Sequence, residues 1–539
     1  MRTVSKLSLS LLSLPFFFLS FICSHEPILA ADETTNKDIS WWCNTTPNPD
    51  ACNHYMAQFN PKSKEEFRTM AIQAAMERAL YAQNRAKKVG FNSKISKTKK
   101  IVYKECNHLI HNTILELNNT LQIIQTNPTL ADFHVQTWLS TALTNIDICH
   151  SSYHELNLAK LSSPILSANV SELISNSLAA NAALSGNSST TSYSDYHVNN
   201  DGFPGWVRAG DRKLLQNLGL ARKPNVVVAQ DGSGQFTSIQ EGINHAISER
   251  VGSARVVVYV KKGVYAENIL ISRTMDNVML VGDGVRYTVI VGNQSSAAGF
   301  TTYSTATVAV DGAGFIARGI TFRNTAGPEG GQAVALRSAS DLSVFYACSF
   351  EGYQDTLFAQ AQRQFYKSCY IYGTVDFIFG NAAVVFQNCA IYVRKPMSGQ
   401  ANSVTAQGRG DPFQNTGISI QNCRIMAAPD LKPVVGSFKT YLGRPWQPYS
   451  RTVVMKSYID DLVAPEGWST WDGSDSALST LYYGEYQNFG PAASTANRVN
   501  WTGYHAAMSP REASQFTVSK LITGRAWLPA TGVPFAAGL

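Results

Sequence analysis

Two periodicities divide the chain. From about residue 40 to 185, apolar side chains recur at three- and four-residue spacing, the signature of amphipathic helices. The first long stretch follows Ser63-Lys-Glu-Glu66, a capping-box pattern, and sets Phe67, Met70, Ala71, Ala74 and Tyr81 along one face. Arg78 falls on the same face and is its one defect. A second helix is predicted over 101–121, with Cys106, Leu109, Ile110, Leu117 and Leu121 on its stripe. A third opens at Thr129-Leu-Ala-Asp132 and runs through Trp138, Leu139, Ala142 and Leu143, and 165–184 supplies a fourth. Long amphipathic helices with short connections predict an antiparallel four-helix bundle.

At Asn225 the pattern becomes strand-like. The stretch 225–247 reads as a strand, a glycine turn and a short helix that caps one end of the β region. Short apolar phrases then recur: ARGITFRNT from 317, YACSFEGYQDT from 346, KSCYIYGTVDF from 367, FQNCAIYV from 386 and IQNCRIM from 420. β-rich phrases parted by Gly, Asn and Asp turns, with no helices between them, predict a right-handed parallel β-helix, a solenoid of stacked coils. Cys348, Cys369, Cys389 and Cys423 hold matching places in these phrases. Stacked cysteines would have Cα atoms about 5 Å apart, within disulfide range. That spacing predicts a Cys369–Cys389 bridge, with Cys348 and Cys423 left as buried thiols.

The same phrases carry candidate chemistry. Asp355 follows Cys348 by seven residues, and Asp376 follows Cys369 by seven. If these units are successive coils, the two carboxylates sit one strand spacing apart, about 4.8 Å. Two carboxylates that close do not both ionise easily, so one is driven toward the acid form. A nucleophile and a general acid result. An aspartate at such a turn also serves as an Asx-turn residue, and Asp430 likewise follows Cys423 by seven, so spacing alone does not establish catalysis.

The first residues narrow the setting. Arg2 and Lys6 precede an apolar run from Leu7 to Cys23, broken by Pro15 and serines, and Ile28 to Ala31 ends in small residues. This predicts a secretory signal over 1–31 rather than an anchor. No later segment has 18 uninterrupted apolar residues, so no membrane partner is expected. Secretion fits disulfides and the six sequons at Asn44, Asn118, Asn169, Asn187, Asn293 and Asn500. A net charge of +7 suits solubility or an acidic polysaccharide, while nucleic acid is excluded by the lack of a concentrated basic patch. The remaining boundaries read as a bundle over 32–185, a polar linker over 186–224 and a β domain over 225–539. Paired basic residues in Asp211-Arg-Lys-Leu-Leu215 offer that linker to a processing protease. His108, His111, His150 and His154 have no metal-ligand spacing, and no metal or cofactor is expected. A monomer is the default.

The helical half resembles the plant invertase and pectin methylesterase inhibitor family through WWCNTTPNPDAC and WLSTALTNIDIC. Its four cysteines admit three pairings by sequence; the resemblance implies Cys43–Cys52 and Cys106–Cys149. The β half resembles plant pectinesterases through five ordered motifs: Gly263-Val-Tyr-Ala-Glu267, Gln332-Ala-Val-Ala-Leu336, Gln354-Asp-Thr-Leu357, Asp376-Phe-Ile-Phe-Gly380 and Leu442-Gly-Arg-Pro-Trp446. RKLL resembles the processing motif of their precursors. The resemblance implies a secreted plant cell-wall enzyme that hydrolyses methyl esters of pectin, with an inhibitor-like pro-region that is removed or autoinhibitory. Inhibitor proteins are implied as further partners. It implies Asp376 as nucleophile, Asp355 as proton donor and then base, and Gln332 and Gln354 as oxyanion donors. It further implies Arg444 orienting Asp376, Trp446 facing a sugar and Thr302 touching substrate, with Gln332 and Arg444 contributing to binding. Physically, an arginine beside Asp376 would hold that carboxyl below its usual range. Amides suit a developing oxyanion, and a neighbouring anion suits an acid that must keep its proton.

Gly490-Pro-Ala-Ala493 departs from the GPGA common near the family's end, away from the candidate site. Two other classes fit less well. A β-helical lyase calls for calcium-binding acidic clusters and a basic Arg or Lys, and an inactive binding module would not need the intact Asp–Asp–Arg set. Serine-hydrolase chemistry is disfavoured, because there is no G-x-S-x-G and the β half holds only His245 and His505.

Overall fold

The computed structural model describes residues 38–90, 96–161, 168–185 and 224–539. The expected signal segment, the Asn187 sequon and most of the 186–224 linker, with Arg212–Leu215, lie outside the described residues. Residues 38–539 form one compact unit in which a helical bundle is seated on a β-helix.

The bundle begins with a two-helix hairpin, α1 (Ile39–Cys43) and α2 (Pro49–Met56), closed by a Cys43–Cys52 disulfide. Four longer helices follow: α3 (Lys64–Gly90), α4 (Lys97–Thr126), α5 (Pro128–Glu155) and α6 (Val170–Ser185). Helices α4 and α5 run antiparallel, turn at Asn127, and are bridged by Cys106–Cys149. The Asn127 side chain accepts from the Leu130 N–H, so α5 is capped two residues before the predicted start at Thr129. At α3 the Ser63 hydroxyl accepts from the Glu66 N–H, and the Glu66 carboxylate accepts from the Lys62 N–H. Phe67, Ala71 and Ala74 are buried as predicted, but Tyr81 is exposed. Arg78 accounts for the broken stripe: its guanidinium lies over the Tyr55 and Tyr81 rings and donates to the Ala168 carbonyl. Among the described residues no helix is long and apolar enough to cross a membrane.

Among the described residues the β half contains three parallel sheets of eleven, seven and eight strands, stacked coil upon coil. The phrases seen in the sequence are the coils. Asn388 and Asn422, with Ala347 and Ser368 in matching places, turn the chain in the left-handed region just before each cysteine. Phe345, Tyr366 and Phe386 stack through the core with centroids 4.6 Å apart. The short helix α7 (Ile239–Ser248) caps the first coil with Ile239, Ile243 and Ala246 buried. Glu267 of the GVYAE motif holds its amino-terminus, accepting from the Ile239 and Gln240 N–H groups. Gly380 closes DFIFG with a φ of 120°, and a Cβ there would lie 2.1 Å from the Ala359 carbonyl oxygen.

The predicted Cys369–Cys389 bridge is corrected: both residues are free, buried thiols, as are Cys348 and Cys423. Stacking keeps equivalent Cβ atoms near the strand spacing, about 4.8 Å, wider than the roughly 3.8 Å of a disulfide. The Cys369 and Cys389 thiols instead point at main-chain carbonyls of the preceding strand, those of Phe345 and Tyr366.

Candidate active site

The site lies on the outer face of the seven-stranded sheet. Its floor is one column of outward-facing residues in register on successive coils: Arg337, Phe358, Phe379, Ala406 and Arg444. Phe358 and Phe379 stack 4.3 Å apart. Asp355 and Asp376 each stand two residues before a floor strand, and the Leu357–Ile378 pairing puts them at equivalent places on adjacent coils. Both adopt positive φ, 59° and 51°, which turns the chain at the groove edge. The predicted stacking of the two aspartates is thus what the register produces.

Arg444 grips Asp376 with a two-pronged ion pair: Nε donates to Oδ1 at 2.8 Å and Nη2 to Oδ2 at 2.7 Å. Its guanidinium lies 4.3 Å from the Trp471 ring centroid. Asp355 has no hydrogen-bonded partner for its carboxyl among the described residues. Burial, then the Asp376 anion, then Glu155 hold that carboxyl well above the usual carboxylate range. Asp376 is also raised, because burial outweighs the hydrogen bonds and charge of Arg444. This corrects the expectation of a depressed Asp376. Arginine acts in the predicted direction, but a covered site lacks the water that stabilises an anion.

A cavity of about 440 Å³ joins these groups. Gln332, Gln354, Asp355, Asp376, Arg444, Trp446 and Thr302 all line it, so every expected catalytic or substrate-contacting residue is brought together. Trp446 meets Phe379 edge-on, with centroids 6.1 Å apart. The amides of Gln332 and Gln354 make no hydrogen bond to other described residues. Phe322, Phe345, Phe350 and Phe377 are buried in the core and do not reach the groove. Sequence reasoning missed Phe358, Tyr303, Trp471 and Asp472 in this lining. Phe358 carried a usable signal, since it is the residue of its coil that matches Phe379. Among the described residues no cluster of His, Cys, Asp or Glu is arranged to hold a metal ion.

The roof comes from the helical bundle. Ile148, Ser151, His154 and Glu155 of α5 line the same cavity. The Glu155 carboxylate accepts from the Thr302 N–H at 2.7 Å. Around the rim, Glu105 of α4 accepts from the Thr301 and Ser304 hydroxyls. Buried Glu116 accepts from Arg273 and Gln362, and the Phe133 carbonyl accepts from Arg363. Gln136 donates to the Phe413 carbonyl, and Asn381 to the Thr144 hydroxyl. The bundle core runs on into Val334 and into Phe358, Phe379 and Ala406 of the groove floor.

Comparison with known proteins matches residues 225–525 to the pectinesterase family and residues 37–180 to the plant invertase/pectin methylesterase inhibitor family. The chain belongs to the pectinesterase family. Its amino-terminal helical part belongs with the inhibitor family. It is similar to probable pectinesterase/pectinesterase inhibitor 59 of Arabidopsis thaliana, at 51% identity over 98% of this chain and 99% of the relative. It is similar to pectinesterase 2 of Citrus sinensis, at 51% identity over 93% of this chain and 95% of the relative. Among solved structures, the carrot pectin methylesterase matches at 53% identity with a TM-score of 0.58, over 59% of this chain and 99% of the carrot chain. The matched share, 59% of this chain, is close to the extent of the β-helical part, residues 224–539.

Proposed function

We propose that this pectinesterase hydrolyses galacturonate methyl esters in pectin through an acyl intermediate on Asp376, under a helical roof that holds the uncut chain inactive. The observation that carries the chemistry is the pairing of an arginine-gripped Asp376 with an unpaired, proton-retaining Asp355 one coil away. An Asp376 oxygen attacks the ester carbonyl carbon, and Gln332 and Gln354 donate to the oxyanion that forms. Asp355 gives its proton to the methoxy oxygen, and methanol leaves. The Asp355 carboxylate then takes a proton from water as the water oxygen attacks the acyl carbon. This frees the galacturonate carboxyl and restores Asp376. Loss of one oxyanion donor in such a site costs about 100-fold or more in rate. Trp446 offers a ring face to a pyranose, and Thr302 borders the same space.

Inhibition by the roof is supported by α5 lining the catalytic cavity. Cleavage at Arg212–Leu215 by a processing protease would permit release, and the site of action is the plant cell wall. The test is methanol release from highly methylated pectin, before and after cutting at a protease site placed within 186–223. Methanol should rise on cutting with no unsaturated sugar formed. Equal rates before and after cutting would remove the inhibitory role, and unsaturated product without methanol would make the protein a lyase.

A further inference from the structure

The proposed reaction makes a carboxylate beside an arginine, and this poses a problem of product retention. Among the described residues lining the cavity, Arg444 is the only arginine or lysine. Its Nε and Nη2 are taken by Asp376, which leaves the Nη1 edge facing the groove. A guanidinium edge left open in a partly covered groove is a ready partner for a uronate carboxylate.

That edge is not open. Asp472 Oδ1 lies 3.5 Å from Nη1. The carboxylate is 76% exposed, so it is not there to satisfy a buried group. A local device puts it in place. Asp472 and Gly473 both take positive φ, 49° and 76°, in a tight turn closed by the Ser474 N–H donating to the Trp471 carbonyl. Aspartate tolerates this conformation better than most residues. The turn presents the Trp471 ring to the guanidinium face and the Asp472 carboxylate to its edge. Three groups thus surround the Arg444 guanidinium: Asp376, Trp471 and Asp472.

We propose that Asp472 is a specificity-determining and positioning residue that caps Arg444, so that the groove accepts the neutral methyl ester and releases the carboxylate product; this rests on the esterase reading above. With the cap in place, a free galacturonate carboxylate meets two aspartates sharing one arginine, and is repelled. The neutral ester carries no such penalty. The like charge of Asp472 also acts on Asp376, raising its carboxyl.

The test uses a 216–539 fragment, close in extent to the solved carrot chain, as parent, Asp472→Asn and Asp475→Asn, each checked for folding by circular dichroism. Asp475 is exposed in the same loop and makes no ion pair with Arg444. Binding of unesterified trigalacturonate is measured by calorimetry, and its inhibition constant by methanol release from methylated pectin. Asp472→Asn should bind trigalacturonate about 2- to 5-fold more tightly, the range of an exposed ion pair. KM for the methylated polymer should change less, and the acid limb of kcat/KM should move to lower pH as a like charge leaves Asp376. Unchanged trigalacturonate affinity, equal tightening in Asp475→Asn, or an acid limb moving upward would overturn the proposal. Absence of methanol release by the parent would instead sink the esterase reading, and calorimetry would still decide whether Asp472 caps Arg444.

Discussion

The contribution of Glu105 to docking of the bundle on the β-helix should weaken as pH rises from about 5 to 7, while His134 and His150, pushed down to about 4 by burial, act in the opposite direction below about 6.5. Glu105 lies on α4, is 5% exposed, and accepts from Ser152 of α5 and from Thr301 and Ser304 of the groove edge. Burial pushes its carboxyl from 4.5 up to about 7, the three hydroxyls pull it down, and Glu155 adds to the rise. Once the bundle leaves, Glu105 meets water and regains an ordinary carboxyl. Below pH 4.5 it is protonated in both forms, so docking does not depend on its titration. Between 4.5 and 7 the separated form ionises while the docked form keeps its proton, and the Glu105 contribution to docking weakens about tenfold per pH unit. Above 7 both are ionised and the effect levels off. A difference of this size amounts to about 3.4 kcal/mol, or roughly a 300-fold change in the docking constant. Asp147 adds the same sign, being pushed up to about 7 by burial and by Asp411 across the interface. The assay is separation of the two parts of a chain cut within 186–223, followed by sedimentation from pH 4.5 to 8. Glu105→Gln should flatten the profile by nearly one proton. A Glu105→Gln profile that runs parallel to that of the parent from pH 5 to 7 would refute the reasoning.

Arg444→Ala should lower kcat in the fragment by about 100-fold or more, because Asp376 loses its orientation and its stabilising charge. The acid limb of kcat/KM should rise, and a variant with full activity would remove Arg444 from the site. A Cys106→Ala/Cys149→Ala double variant opens a loop of 43 residues' separation in the bundle. By chain entropy it should lose about 4 kcal/mol in urea unfolding of the helical part. A loss below about 1 kcal/mol would mean that the α4–α5 contact suffices alone.

Much of this was legible because solenoid coils repeat. Cys348–Asp355 and Cys369–Asp376 share one internal spacing, and in a parallel stack equal spacing becomes adjacency. The bundle was legible from its stripes, apart from Tyr81, where the Arg78 stacking partners come from α2 and from α3 itself. The resemblance pointed to an autoinhibitory pro-region, but the contacts that seat it over the groove were not legible. Its contacts join Glu105, Glu116 and Glu155 to residues more than 140 positions away, and a helical stripe shows which face is buried but not against what. The Cys369–Cys389 expectation failed for a related reason, since coil spacing fixes Cα separation while a disulfide depends on side-chain direction. Trp471 and Asp472 lie beyond the repeating phrases, in a turn with no counterpart on other coils.

The most direct test of the whole account is methanol release from highly methylated pectin by the 216–539 fragment beside its Asp376→Ala variant, with both proteins checked for folding by circular dichroism. The parent should release methanol, and the variant should lose about 1,000-fold or more in rate, the scale expected when a nucleophile is removed. Equal release by both would contradict this, because the carboxylate that Arg444 holds in place would then have no part in the chemistry.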